Sequence, residues 1–228
     1  MERGQNFVAP AGLLDIEDCV DARGEIVLPP GTTLVSLIER NVVNVGDTVA
    51  YRFLDFARSE DAVAEITWAQ LDVRMRAIAA RIQQLTDRTD RVAILAPAGL
   101  DYVAAFFAVL KSGRIAVPLF APELPGHAER LAVALGDATP ALLLTTQSTS
   151  GAVEGFLDKA PGRRSPVLVI DRIPESAAAQ FDPVDIGMDD VSHLQYSSGA
   201  TRAPAGIEIT HRAFVTNLIQ MILSIDLL

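Results

Sequence analysis

The sequence predicts an α/β fold, a parallel βαβ sheet covered by helices. Short runs that are apolar throughout, Val92-Ala93-Ile94-Leu95, residues 115–119, Ala141-Leu142-Leu143-Leu144 and Val167-Leu168-Val169-Ile170, suit strands buried on both faces. Amphipathic segments of about ten residues separate them, the spacing of right-handed βαβ units. Finally, the chain has 228 residues, 50% apolar and 21% charged, enough to bury a substantial core and to exclude global disorder.

Each element follows from local pattern. Residues 1–30, with Pro10, Gly12, Pro29 and Pro30, read as an irregular strap laid over the body. Residues 33–40 fit a short helix. Residues 49–54 read as a strand that turns through Ser59-Glu60-Asp61 into 65–68, a hairpin on the edge of something larger. Thr67 and Gln70 form a capping box, and the helix it opens aligns Leu71, Met75, Ile78, Ile82 and Leu85 on one face. Asp87-Arg88-Thr89-Asp90 breaks the pattern before the first buried strand. Pro97-Ala98-Gly99 then turns into a helix from Asp101 that Gly113 can cap. After the strand at 115–119 comes a turn at 122–126 and a helix over 128–135 that Gly136 should stop. A helix over about 151–159 links the third and fourth strands. Residues 171–190 hold six acids, Arg172, two prolines and Ser176-Ala177-Ala178-Ala179, a composition that predicts a surface excursion. A new unit should begin after it, so the chain divides into a strap (1–30), an α/β subdomain (31–190) and the start of a second subdomain (191–228).

Nineteen Lys and Arg against 29 Asp and Glu leave a net charge of −10, which repels nucleic-acid phosphates and anionic membranes. Cys19 is the single cysteine, so an internal disulfide and a Cys-rich zinc site are both excluded. His127, His193 and His211 are too scattered for a metal-ligand spacing, and no metal ligand or catalytic residue is assigned. No secretory h-region opens the chain, and the apolar run 102–110 is half of what a bilayer needs. A cytoplasmic protein without a membrane span is expected.

The informative segment runs from Leu194-Gln195-Tyr196 through Ser197-Ser198-Gly199-Ala200-Thr201-Arg202-Ala203-Pro204-Ala205 to Gly206-Ile207-Glu208-Ile209-Thr210. Two strands flank a loop rich in amides and hydroxyls and almost free of side-chain bulk. Such a loop lets many donors approach a polyphosphate at once. It also suits a flexible polar turn in a hairpin, and composition leaves both readings open. Gly199 and Gly206 do not frame a Walker loop, and neither G-x-G-x-x-G nor G-x-S-x-G occurs, which argues against a dinucleotide fold or a hydrolase elbow.

The segment resembles the phosphate loop of the adenylate-forming enzymes, which include acyl-CoA synthetases, luciferases and peptide-synthetase adenylation domains. Their loop reads roughly Tyr-Thr-Ser-Gly-Ser/Thr-Thr-Gly-x-Pro-Lys-Gly. Ser198, Gly199, Thr201, Pro204 and Gly206 stand in register with it. Arg202 and the preceding Leu194-Gln195-Tyr196 resemble the fatty acyl-AMP ligase branch, whose mycobacterial members serve polyketide synthases. The likeness extends upstream through Gly46-Asp47-Thr48-Val49-Ala50-Tyr51-Arg52-Phe53-Leu54-Asp55, Asp90-Arg91-Val92-Ala93-Ile94-Leu95-Ala96-Pro97, Gly99-Leu100-Asp101-Tyr102, Ile115-Ala116-Val117-Pro118-Leu119 and Pro125-Gly126-His127.

The resemblance implies the first part of the large N-terminal domain of an adenylate-forming enzyme. It implies ATP and Mg²⁺, with a long-chain fatty acid activated to acyl-AMP and passed to an acyl carrier protein or polyketide synthase. It places Ser197, Ser198, Gly199, Ala200, Thr201, Arg202, Pro204 and Gly206 in the ATP-phosphate loop. Ala200 departs from the family by lacking a hydroxyl, a lost hydrogen bond to a charged group worth ~1.5–3 kcal/mol, or roughly 10- to 150-fold. Ala205 stands where most members have Lys, which the branch resembled often lacks. The same resemblance sets Phe214, Leu218, Met221, Ile222 and Ile225 beside an acyl tunnel, whereas helical periodicity gives core packing. Trp68, Phe106 and Phe107 read as core anchors.

The family's adenine, ribose and Mg²⁺ sites and its mobile C-terminal domain follow the phosphate loop, so the chain by itself is expected to be inactive in adenylation. Its uncovered acyl-binding face should favour self-association. Two alternatives stand beside this reading: a stand-alone interaction or regulatory module without catalysis, and an acyl-CoA synthetase of the same superfamily.

Overall fold

The computed structural model describes residues 16–55, 63–122, 128–159, 164–196 and 205–224. Residues 1–15 of the strap, the turn at 59–61, residues 123–127 with His127, and Ile225 lie outside the described residues. Ile16 and Cys19 of the strap are buried against the body.

Helix α1 (Leu34–Val45) starts at Thr33, whose hydroxyl accepts from the Ser36 amide while the Ser36 hydroxyl accepts from the Thr33 amide. It is longer than the eight residues that the sequence pattern predicts, because Val42 continues the apolar face against the core. Strands β1 (Val49–Leu54) and β2 (Val63–Thr67) pair antiparallel as a separate two-stranded sheet. The hairpin is therefore not an edge of the main sheet. It packs through Tyr51, whose ring meets Trp68 and Phe107 at centroid distances of 6.1 Å each.

Helix α2 (Trp68–Leu85) has the expected Thr67–Gln70 capping box, and Leu71, Met75, Ile78 and Ile82 are fully buried. Leu85, expected on the same face, is 50% exposed because the helix ends beyond the core there. Strand β3 (Arg91–Ile94) leads to α3 (Leu100–Lys111), and Gly113 follows at φ +75°. Gly113 and Arg114 amides donate to Leu110 and Val109 carbonyls, the paired bonds that close a helix through a left-handed residue. The buried Arg114 side chain then donates to the Thr86 and Ser112 carbonyls, satisfying the ends of α2 and α3 together. The buried Lys111 ammonium sits 2.6 Å from Glu39 Oε1 and 3.5 Å from Asp72 Oδ1, tying α3 to α1 and α2.

Strand β4 (Ile115–Pro118) is followed by α4 (Ala128–Ala138). Gly136 does not stop α4, which runs on until Thr139 takes a left-handed φ of 42°. Strand β5 (Leu142–Thr145), α5 (Gln147–Leu157) and β6 (Val167–Val169) complete the βαβ alternation, with α5 starting earlier than Gly151. Strands β7 (Val191–Tyr196) and β8 (Gly206–Thr210) precede α6 (His211–Ser224). The six-stranded sheet has the order β6-β5-β3-β4-β7-β8, parallel except for the β7–β8 hairpin.

One face of this sheet is covered by α1, α2, α3 and α6, and the other by α4 and α5. The segment at 171–190 runs mostly along the surface, as its charge suggests, but Ile173, Ala177 and Ala178 turn into the core. Ala177 and Ala178 are buried in the core under α2, where small side chains allow close approach. Arg74 of α2 locks the segment by donating to the Ile170 and Ile173 carbonyls at 2.7 and 2.8 Å. On α6 the buried apolar residues are Val215 and Ile219, with Phe214, Leu218 and Ile222 partly buried beside them. Met221, assigned to the apolar face, points away from it at 55% exposure.

Candidate functional site

Parallel pairing of Ile94 with Pro118 and Leu144 brings the C-terminal ends of β3, β4 and β5 to one edge of the sheet. Strand β7 runs in the same direction, with Ala116 opposite His193, so its end at Tyr196 faces the same edge. Open α/β sheets bind ligands outside the carboxyl ends of their strands. The Ser- and Gly-rich segment leaves the sheet at that edge.

The two strands that frame this segment are paired to their ends: Leu194 lies opposite Glu208, Gln195 opposite Ile207 and Tyr196 opposite Gly206. Ser197, Ser198, Gly199, Ala200, Thr201, Arg202 and Pro204 lie outside the described residues. Gly206 is described, and it begins β8 beneath the Tyr196 ring. A Cβ on Gly206 would stand 2.9 Å from both Cζ and Oη of Tyr196, so any side chain there would have to displace the end of the Tyr196 ring.

Tyr196 is held in turn by Asp137, whose Oδ2 accepts its hydroxyl at 2.6 Å. Burial, this hydrogen bond and the carboxylate charge together push the phenol well above its ordinary pKa, so Tyr196 is a neutral donor. Arg91 donates to the Ala138 carbonyl at 3.2 Å and approaches Glu208 at 3.8 Å, joining the end of α4 to β3 and β8. Asp137 carries no sequence signal, since it lies 59 residues from its partner.

At the sheet edge the Tyr102 hydroxyl donates to the Leu119 carbonyl at 3.0 Å, and Thr145 Oγ1 donates to the Leu95 carbonyl at 2.8 Å. Burial pushes the Tyr102 phenol up to about 12. These bonds stiffen the strand ends beside the candidate loop. Among the described residues, no group of three or more His, Cys, Asp or Glu side chains could hold a metal ion, and Mg²⁺ is given no ligand here.

His193 and His211 are both buried, one on β7 and one at the start of α6. The Ser192 hydroxyl donates to the Ile209 carbonyl at 2.8 Å and has one proton, so at 2.9 Å it accepts from His193 Nδ1. The His193 ring packs edge-on against Phe106 and Phe214, at centroid distances of 5.7 and 5.2 Å. These rings belong to the core behind the hairpin. No helix among the described residues is long and apolar enough to cross a membrane.

Residues 38–227 match the family model of the AMP-binding enzymes. The long-chain-fatty-acid AMP ligase FadD32 of Mycolicibacterium smegmatis is 43% identical over 206 residues, covering 89% of this chain and 33% of the relative. The 4-hydroxyphenylalkanoate adenylyltransferase of Mycobacterium tuberculosis is 35% identical over 195 residues, covering 83% and 32%. Among solved structures, a fatty acid AMP ligase from Legionella pneumophila superposes with a TM-score of 0.75 at 25% identity, covering 84% of this chain and 32% of that one. The chain thus spans about a third of the length of the relatives it matches. With a family match over residues 38–227, most of its length, and relatives up to 43% identical among those named, the chain belongs to the AMP-binding enzyme family.

Proposed function

We propose that this chain supplies the ATP-phosphate-binding part of a long-chain fatty acyl-AMP ligase. Its similarity to long-chain-fatty-acid AMP ligases along most of its length carries this reading. A fatty carboxylate oxygen would bond to the α-phosphorus of ATP, and the bond from that phosphorus to the β-bridging oxygen would break, releasing pyrophosphate. An acyl-carrier or polyketide-synthase thiol would then bond to the acyl carbon, lose its proton and displace AMP.

In this reading, Ser197, Ser198, Thr201 and Arg202 supply hydroxyl and guanidinium donors, and Gly199 and Gly206 keep backbone amides accessible. Ala200 and Pro204 complete the loop. That donor set fits the β- and γ-phosphates, where charge builds as pyrophosphate departs. Mg²⁺, when bound, would offset the charge of the same phosphates. The acidic balance and single buried cysteine support a cytoplasmic setting. The proposed division is a strap at 1–30, an α/β subdomain at 31–190, and a loop hairpin and helix at 191–228 that open a second subdomain.

Incubation with ATP, Mg²⁺ and a long-chain fatty acid tests the assignment. The 228-residue chain is expected to form no acyl-AMP, while the complete reading frame containing it should form acyl-AMP and pyrophosphate and, with coenzyme A added, no acyl-CoA. Acyl-AMP from the chain alone, or none from the complete frame, would overturn the reading. Formation of acyl-CoA would make the coenzyme A thiol, in place of a carrier-protein thiol, the acceptor.

A further inference from the structure

The hydrogen bond between Asp137 and Tyr196 joins two elements that share no other obvious function. Asp137 lies in the last turn of α4, outside the loop and far from it in sequence. At 2.6 Å its carboxylate makes a short, charge-assisted bond with the phenol. Tyr196 and Gly206 are the final register pair of the hairpin, one on each side of the loop. The Tyr196 ring lies so close over Gly206 that a Cβ there would also meet Asp137 Oδ2 at 3.3 Å. Carboxylate, ring and glycine are therefore stacked in contact. Arg91 fixes the same helix end to β3 through the Ala138 carbonyl, so the acceptor is itself anchored.

We propose that Asp137 is a positioning residue for the phosphate loop: by holding the Tyr196 ring across Gly206, it fixes the spacing and direction of the two strand ends from which the loop springs. The inference rests on this loop being the polyphosphate site. A loop with ends held in place has less freedom to lose when donors converge on a ligand, and affinity rises accordingly. An unlatched Tyr196 ring could leave Gly206, letting the last pair of the hairpin fray.

Two measurements on the full chain test the latch separately from the ligand assignment. The first is amide hydrogen exchange along β7 and β8. In Asp137→Ala and Tyr196→Phe, exchange at the loop-proximal end of the hairpin should quicken about tenfold, the loss of roughly one hydrogen bond to a charged group. Amides in β3 and β5 should keep their rates, which separates local fraying from general unfolding. Asp137→Asn retains an oxygen acceptor and should stay close to wild type. The second measurement is calorimetric titration with inorganic pyrophosphate. Its Kd should rise about tenfold in the Ala and Phe variants and return toward wild type in Asp137→Asn. Unchanged exchange in Asp137→Ala would overturn the latch. Faster exchange with unchanged pyrophosphate affinity would overturn its positioning role. Wild-type protein that binds no pyrophosphate, while exchange responds as described, would remove the phosphate-loop reading and the positioning role with it, leaving the latch as a structural clasp.

Discussion

Gly113 and Val184 meet more closely than any residue with a side chain would allow. Gly113 turns the chain from α3 into β4 at φ +75°, and a Cβ built on it would stand 2.8 Å from Val184 Cγ1. Two independent constraints therefore converge on one residue, the left-handed backbone of the helix end and the contact with the segment after β6.

Gly113→Ala should lose about 2 kcal/mol or more, since a left-handed L-residue costs roughly 1–2 kcal/mol before the displaced Val184 is counted. Urea denaturation should show a lower midpoint with an unchanged slope. An equal midpoint would mean that the turn relaxes without cost.

Acid should destabilise the protein through His211. Its ring is buried, its Nδ1 has no hydrogen-bond partner among the described residues, and burial lowers its pKa to about 4. The unfolded chain takes up the proton near pH 6.5, before the folded one does. The stabilisation is therefore complete above about pH 6.5 and lost as pH falls toward 4, by up to about 3 kcal/mol. His193 shifts in the same direction by burial and adds to the loss. His211→Gln should flatten the stability profile between these pH values, and an unchanged slope would count against His211 as the group responsible.

Ala200 offers a gain-of-affinity test of the phosphate loop. Ala200→Thr restores the hydroxyl that the family pattern carries, and ATP affinity should rise about tenfold. The same substitution should leave thermal stability nearly unchanged. Fluorescence titration with a labelled ATP analogue would reveal it, and identical affinities would show that this position does not face the phosphates.

Self-association should follow from the apolar surface on β8 and α6, where Ile207 and Met221 are each 55% exposed and Leu223 is 43% exposed. Strand β8 is also the edge of the main sheet, and an open edge can pair with another chain. Light scattering should give a mass that rises with concentration, and Ile207→Lys should suppress the rise. A constant monomer mass would show that this surface is too small or too dispersed to drive assembly.

Much of the fold is legible along the sequence because its signals are local. The Thr67–Gln70 box, the apolar strands and the left-handed Gly113 each depend on neighbours within a few residues. Local signals fail where distant packing decides. Gly136 suggests a stop, but α4 continues through it to Ala138. Acidic residues around Ser176-Ala177-Ala178-Ala179 suggest a surface segment, and most of it is exposed, but Ala177 and Ala178 are small enough to lie under α2, with Arg74 binding the Ile170 and Ile173 carbonyls.

The candidate site divides in the same way. The Ser, Gly, Thr and Arg after Tyr196 supply the hydroxyl, amide and guanidinium donors that a phosphate loop would need, because donor chemistry is a property of the residues themselves. Only the tertiary structure sets the flanking strands at the carboxyl edge of a parallel sheet and brings Asp137 to Tyr196 over Gly206. Chain order decides which donors are available. Their framing depends on contacts across 59 residues, which form when α4 docks on the sheet and which no local pattern encodes.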